Sequence, residues 1–229
     1  IVAIHQPTYA PWLGFFAKLQ ASDCFILLDD AQLPQGRSYV SRTQIETPRG
    51  VQWLTVPVRR QHLQRINEAQ IADEAWASQH LKTLQYMYGR ARNFQAIFDA
   101  LVPVYQRPEQ RLVTLNLHLI RVLVQLLGLR SVPRIELAST LGCEGQGAAR
   151  LAALTARVGG SCYLSGPTGR AYLSEECFAQ RGLTLRLGRY ASPAYPQHPG
   201  TPFVAGLSAL DALFHVGGDA GGLLQYERL

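Results

Sequence analysis

Ile1-Val-Ala-Ile4 is a short apolar run, and His5-Gln6-Pro7-Thr8-Tyr9-Ala10-Pro11-Trp12-Leu13-Gly14 follows it directly. Phe15 to Ala21 has helical character, and a second apolar run, Phe25 to Leu28, stops at Asp29-Asp30-Ala31-Gln32. A continuous apolar run bounded by turn residues fits a strand buried on both faces, as in a parallel sheet. Pro11 suits the first turn of a helix, where its missing N–H costs nothing. Strand, Pro/Gly-shaped loop, helix and strand make a βαβ unit. The expected fold class is therefore α/β, with one mainly parallel sheet flanked by helices. In open α/β sheets ligands bind just beyond the carboxyl ends of the strands, and both polar clusters of this stretch fall there.

Outward from this unit, Gln35 to Pro48 is polar and reads as a loop, and Trp53 to Val58 reads as a third strand with Pro57 near an edge or end. A strand is expected near Ile66–Ile71. Trp76 to Tyr88, Phe94 to Tyr105 (interrupted at Pro103) and Arg111 to Leu127 read as helices, the last apolar on nearly every side and hence central. Val132 to Ala138 reads as a strand, Gln146 to Val158 as an amphipathic helix, Cys162 to Leu164 and Leu183 to Leu187 as strands, and Arg170 to Leu173 as helical. Ser208-Ala-Leu-Asp211 has capping-box spacing and opens a last helix to Val216. No repeat or linker divides the chain. Residues 1–229 are expected to form a single α/β domain, with a helix-rich insertion at about 76–127.

The 229 residues are 47% apolar and 17% charged, which describes a globular protein. The net charge of +6 comes mostly from scattered Arg. No basic stripe with interleaved aromatics appears, so a nucleic-acid binder is the weakest of the functions considered; the charge alone fits a phosphate-bearing small molecule about as well as RNA. Cys24, Cys143, Cys162 and Cys177 are far apart and have neither disulfide nor zinc spacing. No metal ligands are assigned and no cofactor is indicated. The start reads as a strand rather than a signal peptide. Leu112 to Leu127 is too short and too polar for a membrane span. The expected location is the cytoplasm.

His5, ending the first strand, is a candidate acid or base near neutral pH, and Gln6 beside it offers paired donor and acceptor groups. Asp29 and Asp30 end the second strand and are candidate catalytic carboxylates. Neighbours on a strand point to opposite faces, so at most one of them meets a given ligand. Tyr9 and Trp12 in the first loop and Gln32 after the carboxylates are candidate substrate contacts. Arg37 and Arg42 carry forks suited to phosphate. Ser165-Gly166-Pro167-Thr168-Gly169 joins a strand to a helical segment and is a candidate phosphate loop through Ser165, Gly166, Thr168 and Gly169. It is neither a Walker A nor a nucleophile elbow. Tyr195 and Gln197, with Tyr190 and His198 nearby, are candidates to line a sugar or base pocket. Asp211 reads as part of a helix cap.

Together these stretches resemble the WbqC-like protein family. The matching segments are IHQPTYAPWLGFFAKL, SDCFILLDDAQ, the loop with Arg42 before WLTVPV, then YLSGPTGRAYL, YPQ and LSALDALFHVGG. Members commonly have Asn where Ser41 stands and often Tyr where Phe15 stands. The family takes its name from surface-polysaccharide (O-antigen) gene clusters. The resemblance thus implies a role in making or decorating an unusual sugar, and pathway context suggests transfer of an acyl or aminoacyl group to an amino sugar. The architecture is also similar to the nucleotidyltransferase-type α/β fold, but the second histidine of that motif is missing, since Phe15 follows Gly14.

Three functions compete on these residues. The first is an enzyme that binds a nucleotide-activated sugar or a related phosphate-bearing molecule and transfers a group, with His5 as acid or base. The second is nucleotidyl transfer, the one alternative that brings in Mg²⁺. The third is a non-catalytic small-molecule-binding or partner subunit.

Overall fold

The computed structural model describes every residue except Arg37, Pro108, Thr201 and Leu229, and omits the side chain of Arg228. In chain order the strands are β1 (Val2–His5), β2 (Cys24–Leu27), β3 (Arg42–Thr47), β4 (Gly50–Thr55), β5 (Val58–Arg59), β6 (Gln70–Ile71), β7 (Arg134–Leu137), β8 (Cys162–Ser165), β9 (Thr184–Tyr190) and β10 (Tyr226–Arg228). The helices are α1 (Leu13–Gln20), α2 (Ala75–Tyr88), α3 (Phe94–Gln106), α4 (Leu112–Leu126), α5 (Gly147–Arg157), α6 (Glu175–Ala179) and α7 (Ala209–Val216).

Six strands form the main sheet in the order β10-β9-β8-β1-β2-β7. All neighbours run parallel except β10, which is antiparallel to β9. The α/β expectation is met. Counted along the chain, the main-sheet strands lie in the order 6-5-4-1-2-3, the doubly wound arrangement. The direction of winding reverses between β1 and β8, where the crevice of such sheets opens. Val2 pairs with Tyr163 and Ala3 with Leu164; extending that register sets His5 level with Gly166, just past the end of β8.

Alternation along β1 and β2 divides the core. Ala3, Phe25 and Leu27 face α1, α4 and α7, whereas Val2, Ile4 and Ile26 face Ala152 and Leu154 of α5 and Phe178 of α6. His5 shares the parity of Ala3 and packs edge-on against Phe15 of α1, ring centroids 5.2 Å apart.

Several local expectations are corrected. The segment read as a loop over 35–48 contains β3, which pairs antiparallel with β4 from Arg42↔Thr55 to Thr47↔Gly50. Its apolar signal is thin because Thr43 and Thr47 are buried beside Ile45. The strand expected over 53–58 is displaced to Gly50–Thr55, and near 66–71 only Gln70–Ile71 is extended. Pro103 does not interrupt α3. It and Asp99, four residues earlier, lie on the exposed face, where solvent can satisfy the freed carbonyl. The helix expected at 170–173 is a 3₁₀ turn over Pro167–Ala171, and α6 follows it. Ser208 caps α7, its Oγ accepting from Leu210 N, but Asp211 does not complete a capping box. It is fully buried and accepts from Tyr88 Oη at 2.6 Å, Tyr195 Oη at 2.8 Å and Gln197 Nε2 at 3.1 Å.

Candidate functional site

A cavity of about 590 Å³ opens where β1 and β8 diverge. His5 and Gln6 enter it from the end of β1, and Ser165, Gly166 and Thr168 from the end of β8. Trp12 and Lys18 contribute from the start and the body of α1, and Tyr190 and Tyr226 from β9 and β10. Segments about 160 residues apart in sequence thus meet at the reversal point of the sheet.

The loop after β1 is held from three sides. Asn116 of α4, fully buried, donates to Pro7 O at 3.0 Å and Val40 O at 2.8 Å. Thr43 Oγ1 and Ser208 Oγ donate to Ala10 O at 2.9 and 2.8 Å. These bonds fix Ala10 at φ 40°, the left-handed region that a non-glycine residue enters only at a cost. Trp12 then lies across Gly14: a Cβ on that glycine would stand 2.3 Å from the indole. The edge of the indole meets Tyr190 at 5.4 Å. Gly169 is equally constrained, because a Cβ there would lie 2.1 Å from Ser165 Oγ. Gly169 is therefore packing behind the loop, while Ser165, Gly166 and Thr168 form the wall.

The electrostatics come from two buried groups. His5 Nδ1 stands 2.8 Å from Gln6 O. A carbonyl only accepts, so Nδ1 carries the proton and Nε2 keeps a lone pair. Burial, followed by the charge of Lys18, lowers the His5 pKa to about 4 against the opposing Gln6 bond. The ring is a neutral base at physiological pH. Lys18 donates to Ile4 O at 2.9 Å, and burial brings its pKa down to about 8. It is a cation at neutral pH, close to losing its charge. Lys18 lines the cavity and was not among the residues singled out from the sequence. Its only signal was a lone Lys one turn after Gly14 in an otherwise apolar helix.

The other candidates are spread more widely. Tyr9 is buried, its hydroxyl 2.8 Å from His80 Nδ1 and 2.7 Å from Tyr105 Oη. With His5 and Trp12 it lines a second, smaller cavity of about 360 Å³. Asp29 turns inward, accepting from Ser139 N at 2.9 Å, Ser139 Oγ at 2.6 Å and Asn67 Nδ2 at 3.5 Å. Asp30, largely buried, pairs with Arg150 and, with Gln32, lines an adjoining cavity of about 820 Å³ at the start of α5. That cleft shares Leu28, Leu151 and Tyr172 with the His5 cavity. Arg42 lies over Trp53, its Cζ 3.9 Å from the ring centroid, and does not line the His5 cavity. Tyr195 and Gln197 are bound to Asp211, also outside that cavity. Arg37 lies outside the described residues. No helix among the described residues is long and apolar enough to cross a membrane.

No solved structure matches the chain. An uncharacterized protein of Mycobacterium tuberculosis, Rv1507c, is 34% identical to it over 99% of this chain and 98% of that protein. The model of the WbqC-like protein family matches residues 6–222, a span that includes His5's partner Gln6, Lys18 and the whole Ser165–Gly169 loop. The sequence similarity thus extends through the segments that converge on the cavity, and the chain belongs to the WbqC-like protein family.

Proposed function

We propose that the chain is a transferase of surface-polysaccharide or unusual-sugar biosynthesis, acting on a phosphate-bearing, nucleotide-activated sugar or a related donor in the cavity between β1 and β8. The observation that carries this reading is the meeting of a neutral, buried imidazole with a buried ammonium group in one crevice at the winding reversal. In this reading His5 Nε2 takes the proton from an acceptor amine or hydroxyl, as an amino sugar would supply. The acceptor's lone pair forms the new bond to the transferred group, an acyl or aminoacyl group in this reading. The bond to the donor's leaving group breaks, and that group keeps the electron pair. Lys18 offsets the negative charge of the phosphates, and Gln6 and Trp12 orient the acceptor.

Nucleotidyl transfer with Mg²⁺ is less well supported. Asp29 is committed to Ser139 and Asn67, and Asp30 to Arg150. The test is calorimetry and turnover with a panel of nucleotides, nucleotide amino sugars and acyl or aminoacyl donors, using wild type and His5→Ala. Binding in both with turnover in wild type alone supports the transferase. Binding without turnover in either favours a binding subunit. Absence of binding across the panel refutes the phosphate-bearing substrate.

A further inference from the structure

A separate group of side chains gathers outside the His5 cavity. Glu46 of β3, His198 of the loop after β9 and His215 in the last turn of α7 each bring one ligand atom within 4.8 Å of the others. Tetrahedral ligands about 2.1 Å from a zinc ion stand about 3.4 Å apart, so modest side-chain rotation closes the set. We propose that Glu46, His198 and His215 bind a first-row divalent cation, Zn²⁺ by their donor set, with a further coordination position facing the neighbouring cavity. The proposal is independent of the function assigned to the His5 cavity.

Two observations support it. Glu46 is 1% exposed, and a carboxylate so deeply buried beside two imidazoles suits a cation. His215 Nε2 is buried without a hydrogen-bond partner among the described residues, 4.0 Å from Asp211 Oδ1.

The supporting frame is also rigid. His198 N donates to Glu46 Oε2 at 3.0 Å, tying the loop to β3. Gln197 clamps the same loop, donating to Val204 O at 3.0 Å and accepting from Val204 N at 2.8 Å. Tyr88 packs beside both imidazoles, stacked on His198 and edge-on to His215. The two rings face one another at 88° with centroids 5.1 Å apart. Two histidines and one glutamate with an open side is a donor set that suits zinc in catalytic rather than closed structural sites. Here the open side is a cavity of about 850 Å³ to which His198, His215 and Arg90 contribute.

The test uses the full untagged chain, freed of metal by chelation and titrated with Zn²⁺ and, separately, Co²⁺. Wild type is expected to take up an equimolar amount of either. Bound Co²⁺ should show the intense visible bands of four- or five-coordination. His198→Gln and His215→Gln should each weaken binding at least about 100-fold, beyond the roughly 10–100-fold cost of losing a group that merely supports a ligand. His62→Gln, at an exposed position, should bind like wild type. Circular dichroism of each variant checks folding, and if His215→Gln fails to fold, the loop variant His198→Gln decides. Absence of equimolar binding by wild type overturns the proposal. So does affinity left unchanged by His198→Gln, or a weak six-coordinate cobalt spectrum common to all variants.

Discussion

The Nδ1 atom of His5 lies 2.8 Å from the carbonyl oxygen of Gln6, the next residue in the chain. This contact selects the tautomer and presents Nε2 as the basic atom of the cavity. His5→Ala removes that base but leaves Lys18 and the Ser165–Thr168 wall in place. Turnover should fall by about 100-fold or more, the usual worth of a positioned base, with nucleotide-sugar affinity changed little. Steady-state kinetics beside calorimetry separates the two effects, and undiminished turnover would count against His5.

In the proposed function Lys18 sets the pH range of anion binding. With its pKa at about 8, the ammonium is charged below that pH and neutral above it. Affinity for a phosphate-bearing ligand should therefore decline as pH rises past 8, the fall moving to higher pH when the bound anion itself raises the pKa. Lys18→Met should lower affinity at least about tenfold at pH 7 and flatten the profile. A wild-type affinity indifferent to pH across this range would refute the role.

Stability should depend on pH through two other groups. His5 and His80 are each held at about 4, chiefly by burial, against an ordinary value of 6.5. Between these values the unfolded chain binds more protons than the folded one. Stability is therefore complete above about pH 6.5 and is lost as pH falls towards 4, by up to about 1.4 kcal/mol per pH unit for each imidazole. Urea unfolding at a series of pH values tests this, with His80→Asn expected to reduce the slope.

Asp211 makes a further stability prediction. Tyr88→Phe removes the 2.6 Å hydrogen bond to its buried carboxylate and should cost about 2 kcal/mol. Chemical denaturation gives the value, and a loss below about 0.5 kcal/mol would show that the hydroxyl contributes little.

Arg42 is expected to behave as a packing residue. Its guanidinium rests on Trp53, so Arg42→Ala should lower stability by about 1 kcal/mol and leave phosphate affinity unchanged. Calorimetry that found weakened binding would return Arg42 to the list of ligand contacts.

The parallel core was legible because β1 and β2 are unbroken apolar runs; that His5 and Ser165 share one cavity was not, because only the order of the strands brings their two ends together. Less could be read where polar residues are inward. The Arg42–Thr47 strand buries Thr43, Glu46 and Thr47, which look like loop residues in a linear chain. Asn116 sits within an apolar helix and acts through two carbonyls distant in sequence. Asp211 has the spacing of a cap, yet α7 turns it inward to two tyrosines. Glu46, His198 and His215 have no ligand spacing at all, since three separate elements bring them together.

The central place of β1 also has a consequence for the chain's birth on the ribosome. β1 precedes its neighbour β8 by about 160 residues, so at roughly 5–20 residues per second its far edge awaits a partner for on the order of 10–30 s. Through that interval Val2–His5 presents open backbone groups and apolar side chains to the crowded cell. A nascent chain halted before Cys162 would keep that edge of β1 without its β8 partner.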